Sequence, residues 1–364
     1  MAHTLPEPVV GLSREAVLAW LREDDEARLE SLWRAADEVR RRYVGDAVHL
    51  RGLAEISNYC VRGCTYCGIR GPNRALERYR MTAAAIVACA RQARAYGYGT
   101  LVMQSGEDYG IETGWLADVV GQVKAETALA VTLSLGERPD ADLAAWRAAG
   151  AERYLLRFET SDERLYRRIH PDLPGRVSDR LAIITTLREL GYEAGTGIMV
   201  GILGQTHASV ANDIELFRDM DMDMIGIGPY LPHPATPLGR EFEERRARGD
   251  WAPDQVPNSE LATCKVVALT RLVRPDANLP ATTALSLVNK DGGRAHGLQR
   301  GANVVMPNLT PPGYRAKYEI YPEKAAVLET AEAINAGIAA LLGSLGRTVG
   351  KGPGGRRHSP PTAD

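Results

Sequence analysis

The sequence predicts an α/β protein, a (β/α)8 barrel of the TIM type carrying an N-terminal helical extension. Three observations predict it. From about residue 52, eight short apolar runs alternate with amphipathic stretches, and no break in composition separates the units. Several amphipathic stretches end on a glycine just before the next run, at Gly97, Gly150 and Gly191, where a helix commonly terminates in a left-handed turn. Eight is also the strand number at which a closed barrel is filled by its own side chains, which favours closure over an open doubly wound sheet.

Taken in order, residues 13–43 read as two helices. Ser13 is placed to cap the first, and Val17, Leu18 and Leu21 share a face; Leu29, Leu32 and Val39 stripe the second. The run Arg40-Arg41-Arg42 ends that helix, where positive charge complements the helix dipole. Residues 1–50 are therefore read as the extension and 51–325 as the barrel. The strand candidates are Leu53–Ser57, Thr100–Gln104, Ala130–Ser134, Arg153–Phe158, Ala194–Val200, Met222–Ile227, Leu279–Thr283 and Asn303–Met306. Helices are expected over Thr82–Ala95, Trp115–Glu126, Arg180–Leu190 and Val210–Met220. Residues 239–258, charged and proline-containing, read as a surface excursion. A C-terminal helix is expected over 326–345. A Gly-, Pro- and charge-rich tail, 346–364, is expected to be disordered.

Composition narrows the function. A net charge of -2 gives no basic surplus for nucleic acid or an anionic membrane. No apolar run is long enough to span a bilayer. The opening MAHTLPEPVV lacks the basic and apolar regions of a secretory signal, so the expected compartment is the cytoplasm. Five cysteines, three of them clustered, do not form a disulfide framework.

Those three carry the chemistry. Cys60, Cys64 and Cys67 have the spacing C-x3-C-x2-C and directly follow the first predicted strand, at the barrel face where active sites are built. Thiolates suit zinc and iron–sulfur clusters. A structural zinc site takes four protein ligands, and no fourth Cys or His lies nearby. A 4Fe-4S cubane held by three cysteines leaves one iron open to a ligand. Downstream, Gln104-Ser105-Gly106-Glu107 forms a small-residue turn after the second strand, either a ligand cradle or an ordinary strand-to-helix turn. Arg157 and Glu159 share a face at the end of the fourth strand, as ligand contacts or as an internal ion pair. Arg180, Ser134 and Met199 are further candidates, Met199 equally as a core residue.

At the cysteines, with aromatic Tyr66 before the last, the sequence resembles the radical S-adenosylmethionine (SAM) superfamily. The resemblance implies that the open iron binds the amino and carboxylate groups of SAM. One electron then breaks the S–C5′ bond to give methionine and a 5′-deoxyadenosyl radical. Ser105-Gly106-Glu107 resembles the superfamily's Gly-Gly-Glu element, which hydrogen-bonds the SAM amino group. Glu159 is then expected to take the ammonium or ribose hydroxyls and Arg180 the carboxylate.

Longer strings resemble the HydE family of FeFe-hydrogenase maturases: Arg78-Tyr79-Arg80-Met81-Thr82, Thr132 to Glu137, Tyr154 to Arg157, Met199-Val200-Gly201, Gly226 to Pro229, Pro232-His233-Pro234, Pro280 to Ala284, Met306-Pro307-Asn308 and Pro312 to Arg315. Together they span about residues 40–325. This resemblance implies a substrate that is an iron–cysteine complex carrying CO and cyanide. It also implies an electron donor such as ferredoxin or flavodoxin and a GTPase scaffold maturase as recipient. Phe158 stands where the family often has His, and no cysteine after Cys264 is present for the auxiliary cluster of some members.

Two rival readings share the barrel. Biotin synthase holds a second cluster with inner-strand cysteines, but the comparable strands carry Met103, Leu133 and Val200. Cys89 and Cys264 read as small core residues. A methylornithine synthase-like amino-acid mutase, needing one cluster, is the stronger rival. Thr282, Thr283 and Tyr314 are the substrate-pocket candidates, with His233 behind them and His170 further back.

Overall fold

The computed structural model describes residues 6–323 and 330–356. Six long parallel strands form most of the barrel: β1 (Ala47–Ser57), β2 (Thr100–Ser105), β3 (Ala130–Ser134), β4 (Ala151–Leu155), β5 (Glu193–Val200) and β6 (Met224–Pro229). The short β7 (Val304–Val305) pairs with the other edge of β1, giving the order β6-β5-β4-β3-β2-β1-β7. Register aligns Glu55 with Gln104 and Gln104 with Ser134, so the last two meet in one layer at the barrel mouth.

The seventh apolar run departs from expectation. Residues 279–283 form no strand, and the ring closes through single bridges, Met224 to Asn278 and Pro280 to Val304. Pro280 has no N–H to continue a ladder. Beyond it, Thr282 caps a short helix, Thr283–Val288, by accepting from Leu285 N.

The helices agree with the sequence to within a few residues: Ala83–Ala95, Thr113–Thr127, Arg180–Glu189 and His207–Asp219. Gly97, Gly150 and Gly191 all have positive φ at the turns that follow helices. Ser13 caps Arg14–Leu21 as read from the sequence, and Asp25 caps Glu26–Val44. The extension packs on the outer helices His207–Asp219 and Glu260–Val273. Arg40 does more than complement a dipole: it is buried and paired with Asp37 (3.1 Å) and Asp46 (2.9 Å).

Two segments read as peripheral are built in. Within 239–258 lies most of a helix, Pro237–Arg248, with Leu238 and Phe242 buried. These join Leu165, Ile169, Met199, Ile202, Leu203 and Tyr230 in a satellite core. The tail is ordered as far as residue 356, and 357–364 lie outside the described residues. β8 (Thr348–Val349) pairs with the start of β1. The chain then crosses the barrel floor, where Thr100 Oγ1 donates to Pro353 O (3.1 Å) and Arg51 to Gly354 O (3.0 Å). Arg356 locks the end against Asp221 (2.9 Å), Asp223 (3.0 Å) and Asp276 (2.7 Å). Composition suggested disorder, but these ion pairs and the β1 ladder supply long-range partners that composition does not display. Helix Ala331–Ser344 occupies the place of the expected C-terminal helix; residues 324–329 of that stretch are outside the described residues.

Candidate active site

The cysteine loop begins with a bulge. Glu55 pairs with Gln104 and Ser57 with Ser105, leaving Ile56 over. An extra residue bends and re-aims a strand, here into the segment that carries the cysteines. The loop returns along β1 through a bridge between Ser57 and Arg80. Asn58 and Arg78 pin it internally. Asn58 Nδ2 donates to Glu77 O (2.8 Å) and Lys317 O (2.7 Å), and Arg78 donates to the carbonyls of Asn58, Ile69, Arg70 and Asn73.

Cys60, Cys64 and Cys67 all line a single cavity of about 310 Å³ inside the barrel mouth, a size suited to small molecules. Among the described residues, no three His, Cys, Asp or Glu side chains converge on a point that would hold one metal ion. Three thiols lining one cavity fit a cubane, in which each thiolate binds a different iron. Burial lifts all three thiols above their usual range, Cys67 to about 12, and the neighbouring Cys60 adds to the effect on the other two. The bare thiols are thus protonated at neutral pH, and a cationic centre is what would make them thiolates. The Glu107 N–H already points at Cys60 Sγ (3.4 Å), and His170 Nδ1 lies 3.0 Å from Cys64 Sγ.

Behind the thiols runs a buried charged belt that the sequence analysis missed. Arg62 donates to Glu107 (2.7 Å) and to Glu137 (2.5 Å). Glu137 also accepts from Ser178 Oγ (2.5 Å) and Arg180 Nε (3.0 Å), and His170 Nε2 lies 3.2 Å away. Burial opposes the charge on Glu137, but the bond to His170, the charge of Arg180, the Ser178 hydroxyl and the charge of Arg62 outweigh it and hold the carboxyl at about 2. Burial and then the Arg180 cation push His170 down to about 4. Its Nε2 faces both the Glu137 carboxylate and Arg180 Nη2 (3.2 Å), and its Nδ1 faces the Cys64 sulfur.

Gly106 has a different reason from the one its turn suggests. A Cβ there would sit 2.2 Å from Tyr59 O and 2.7 Å from Cys60 Cβ. The close approach is therefore to the cysteine loop. The Glu107 carboxylate is also committed, to Arg62, to Tyr109 Oη (2.7 Å) and to Glu137 N (3.2 Å).

Glu159 holds the opposite wall with φ of +65°, a left-handed backbone that costs a non-glycine residue roughly 1–3 kcal/mol and clusters at functional sites. Its N–H donates to Gly197 O (3.0 Å). The next residues are tied down by Asp213, whose Oδ1 accepts from Ser161 N (2.5 Å). Tyr66 Oη reaches Glu159 at 3.5 Å, and Arg157 Nη2 lies 3.3 Å from its other oxygen. Beyond that ion pair, neither Glu159 Oε2 nor Arg157 Nε makes a hydrogen bond among the described residues. Buried polar atoms of this kind are costly unless a ligand satisfies them. Arg180, at a helix start, donates to Arg157 O (2.6 Å).

Gln104, Ser105, Gly106, Glu107, Ser134, Arg157, Glu159, Arg180 and Met199 all line the cavity with the cysteines and Tyr66, as do Thr282 and Thr283. Thr283 hydrogen-bonds Tyr321, a lining residue that the sequence analysis missed. Two expected substrate residues lie outside the lining. Tyr314 stacks on Tyr79 with ring centroids 5.0 Å apart. His233 is buried, accepts from Ala235 N (3.1 Å) and packs so closely on Gly68 that a Cβ there would lie 2.7 Å from its Nε2. Both side chains brace the walls. At the cavity floor Arg51 meets Met224 Sδ (2.9 Å), and burial depresses it to about 9.

Residues 54–217 match the Radical SAM superfamily. The FeFe-hydrogenase maturase subunit HydE of Thermotoga maritima is 44% identical over 346 residues, 95% of this chain and 94% of that one. The chain belongs to the HydE family of radical SAM enzymes. A second relative, 3-methylornithine synthase of Methanosarcina acetivorans, is 30% identical over 81% of this chain and 79% of its own length. The crystal structure of methylornithine synthase (PylB) superposes with a TM-score of 0.75 at 24% identity, covering 94% of this chain and 95% of that one. The HydE-family barrel thus keeps its shape across relatives whose names denote different chemistry, so the fold alone does not choose the substrate.

Proposed function

We propose that this HydE-family enzyme holds a 4Fe-4S cluster on Cys60, Cys64 and Cys67, cleaves SAM reductively, and acts on an iron–cysteine complex carrying CO and cyanide during assembly of the FeFe-hydrogenase diiron centre. The observation that carries the SAM site is the Arg157–Glu159 ion pair (3.3 Å) in the cavity that the three thiols line, with Arg157 Nε left over beside it. When bound, the cluster supplies one electron to the S–C5′ bond of SAM. The chain's residues orient and shield the reactants. Glu159 takes the ammonium or ribose hydroxyls of SAM, and Arg180 meets its carboxylate. With the Glu107 carboxylate committed elsewhere, the Ser105-Gly106 backbone is left to face the amino group. Thr282 and Thr283 offer hydroxyls to the substrate, and the enclosed volume of about 310 Å³ suits a small molecule. The electron donor is a ferredoxin or flavodoxin, and a GTPase scaffold takes the product. No described helix is long and apolar enough to cross a membrane.

The substrate assignment is supported by the 44% identity to a HydE maturase. Reconstituted enzyme given SAM, reductant and the iron–cysteine carbonyl–cyanide complex is expected to form deoxyadenosine and an adenosyl–sulfur radical adduct seen by electron paramagnetic resonance. The 30% identity to a methylornithine synthase supports a second reading, an amino-acid mutase. If the iron complex has no effect and free lysine is consumed in step with SAM, the mutase reading replaces the first.

A further inference from the structure

Four large apolar side chains stay exposed on the cysteine loop and on the segments linked to it by hydrogen bonds. Tyr59 and Val61 flank Cys60 directly and are 37% and 42% exposed. Val61 N donates to Glu107 O (3.0 Å), and Tyr109 joins through its hydroxyl on the Glu107 carboxylate. Arg176 donates to Tyr109 Oη (2.7 Å) and lies 5.3 Å over that ring, and the next residue, Val177, is 79% exposed. Contiguous exposed apolar residues mark an interaction site more often than scattered ones do.

The charge of the cysteine loop itself is one-sided, although Asp172 and Asp179 lie near Val177 in the sequence. Residues 59–80 contain five arginines and one acidic residue, in a chain of net charge -2. Arg62 is buried below the loop; Arg80 is exposed and lies 4.0 Å over the Tyr59 ring but is paired with Asp108 (2.7 Å), and Arg74 is exposed. The one acid, Glu77, pairs with Lys317. An arginine-rimmed apolar patch steers an acidic partner and seats it.

We infer that this face docks a small acidic electron-transfer protein, whose electron enters the cluster at Cys60. The inference rests on the cluster reading above. Electron transfer weakens steeply with distance, so the donor must approach the thiolates from a side that ligands leave open. The cavity side is taken by SAM and substrate, and on the chain either side of Cys60 the exposed residues are Tyr59 and Val61. The step balances as a one-electron exchange: the reduced carrier is oxidised, the cluster is reduced, and the carrier departs. Such redox encounters use small, weak interfaces, which matches a patch of four side chains.

The test compares reconstituted wild type with an Arg74→Glu, Val177→Glu variant, neither residue being part of the cavity. The probe is an acidic 4Fe-4S ferredoxin. Binding is measured by calorimetry at low and high salt, and SAM cleavage is driven in turn by reduced ferredoxin and by dithionite. Wild type is expected to bind ferredoxin with an affinity that falls as salt rises. The variant is expected to lose on the order of tenfold in affinity and in ferredoxin-driven cleavage at low salt, while its dithionite-driven cleavage stays at the wild-type level. Equal ferredoxin affinity and equal ferredoxin-driven rates in both proteins overturn the docking assignment. Failure of wild type to take up iron overturns the cluster reading instead, and is seen before any carrier is added.

Discussion

Replacing Gly106 with alanine tests whether the turn after β2 sets the position of the cysteine loop. The added methyl would stand 2.2 Å from Tyr59 O and 2.7 Å from Cys60 Cβ. Restoring a contact of 3.0 Å to the carbonyl demands a shift of about 0.8 Å (3.0 less 2.2), and the obstructing atoms belong to the loop's backbone or sit next to it. Functional constellations tolerate about 0.5 Å of error, and a 1 Å misplacement costs on the order of 100-fold in rate. Gly106→Ala is therefore expected to hold well under the roughly four irons per chain of the wild type and to lose about 100-fold in SAM cleavage. Its thermal stability should fall by only about 1–3 kcal/mol, the usual cost of overpacking. Iron content after anaerobic reconstitution, deoxyadenosine yield and a circular-dichroism melt measure all three. Gly121→Ala is the control. It lies within the helix Thr113–Thr127 with nothing within 4 Å of the new methyl, and it should gain about 0.5–1 kcal/mol. Wild-type iron and cleavage in Gly106→Ala would refute the packing argument.

Other perturbations separate the parts of the site. Alanine at Cys60, Cys64 or Cys67 should abolish iron uptake and SAM cleavage together, while alanine at Cys89 or Cys264, which are buried singly, should leave both; iron retained in any of the first three removes that cysteine from the ligand set. Glu159→Ala should weaken SAM binding by about 2 kcal/mol, some tens-fold, with the cluster still assembled, and unchanged affinity by equilibrium dialysis would place Glu159 outside the SAM site. Arg356→Ala strips three aspartates of a largely buried cation and should cost about 3–5 kcal/mol at neutral pH. That loss should shrink in acid. Burial opposes the charge on Asp221, but Arg356 and Arg188 outweigh it and hold the carboxyl at about 2, so its stabilisation is present above about pH 4 and disappears as pH falls toward 2; a melt series showing no pH dependence of the difference would count against the clamp. Asp213 has the opposite sign. Burial raises it to about 7, so it stabilises the fold at low pH and that contribution is lost as pH rises from about 4 through 7. Asp213→Asn keeps an oxygen for Ser161 N and should flatten stability over that window, and an unaltered pH profile would show that Asp213 does not titrate there.

What the sequence determined by itself is what local pattern encodes. The three cysteines lie within eight positions of one another, so their spacing is visible without a fold. The strand–helix alternation and the glycine stops at Gly97, Gly150 and Gly191 are likewise set by short-range periodicity and turn geometry. The tertiary structure decided whatever depends on side chains meeting across the chain. Arg62 finds Glu137 across 75 positions and Arg180 finds Glu137 across 43, and nothing in the intervening sequence announces either pairing. Glu107 looked like a ligand residue from its motif, but only packing shows its carboxylate turned onto Arg62. His233, in the loop after β6, and Tyr314, in the four-residue helix Pro312–Arg315 beyond β7, point into walls, because segments so short and irregular have no side-chain period from which direction could be read. The residues 346–356 have the composition of a free tail, yet Arg356 meets Asp221, Asp223 and Asp276 only because the strands bring those aspartates together at the barrel floor. Local sequence sets backbone preference over a few residues. The partners of a buried charge are set by which distant segments the closed barrel makes neighbours.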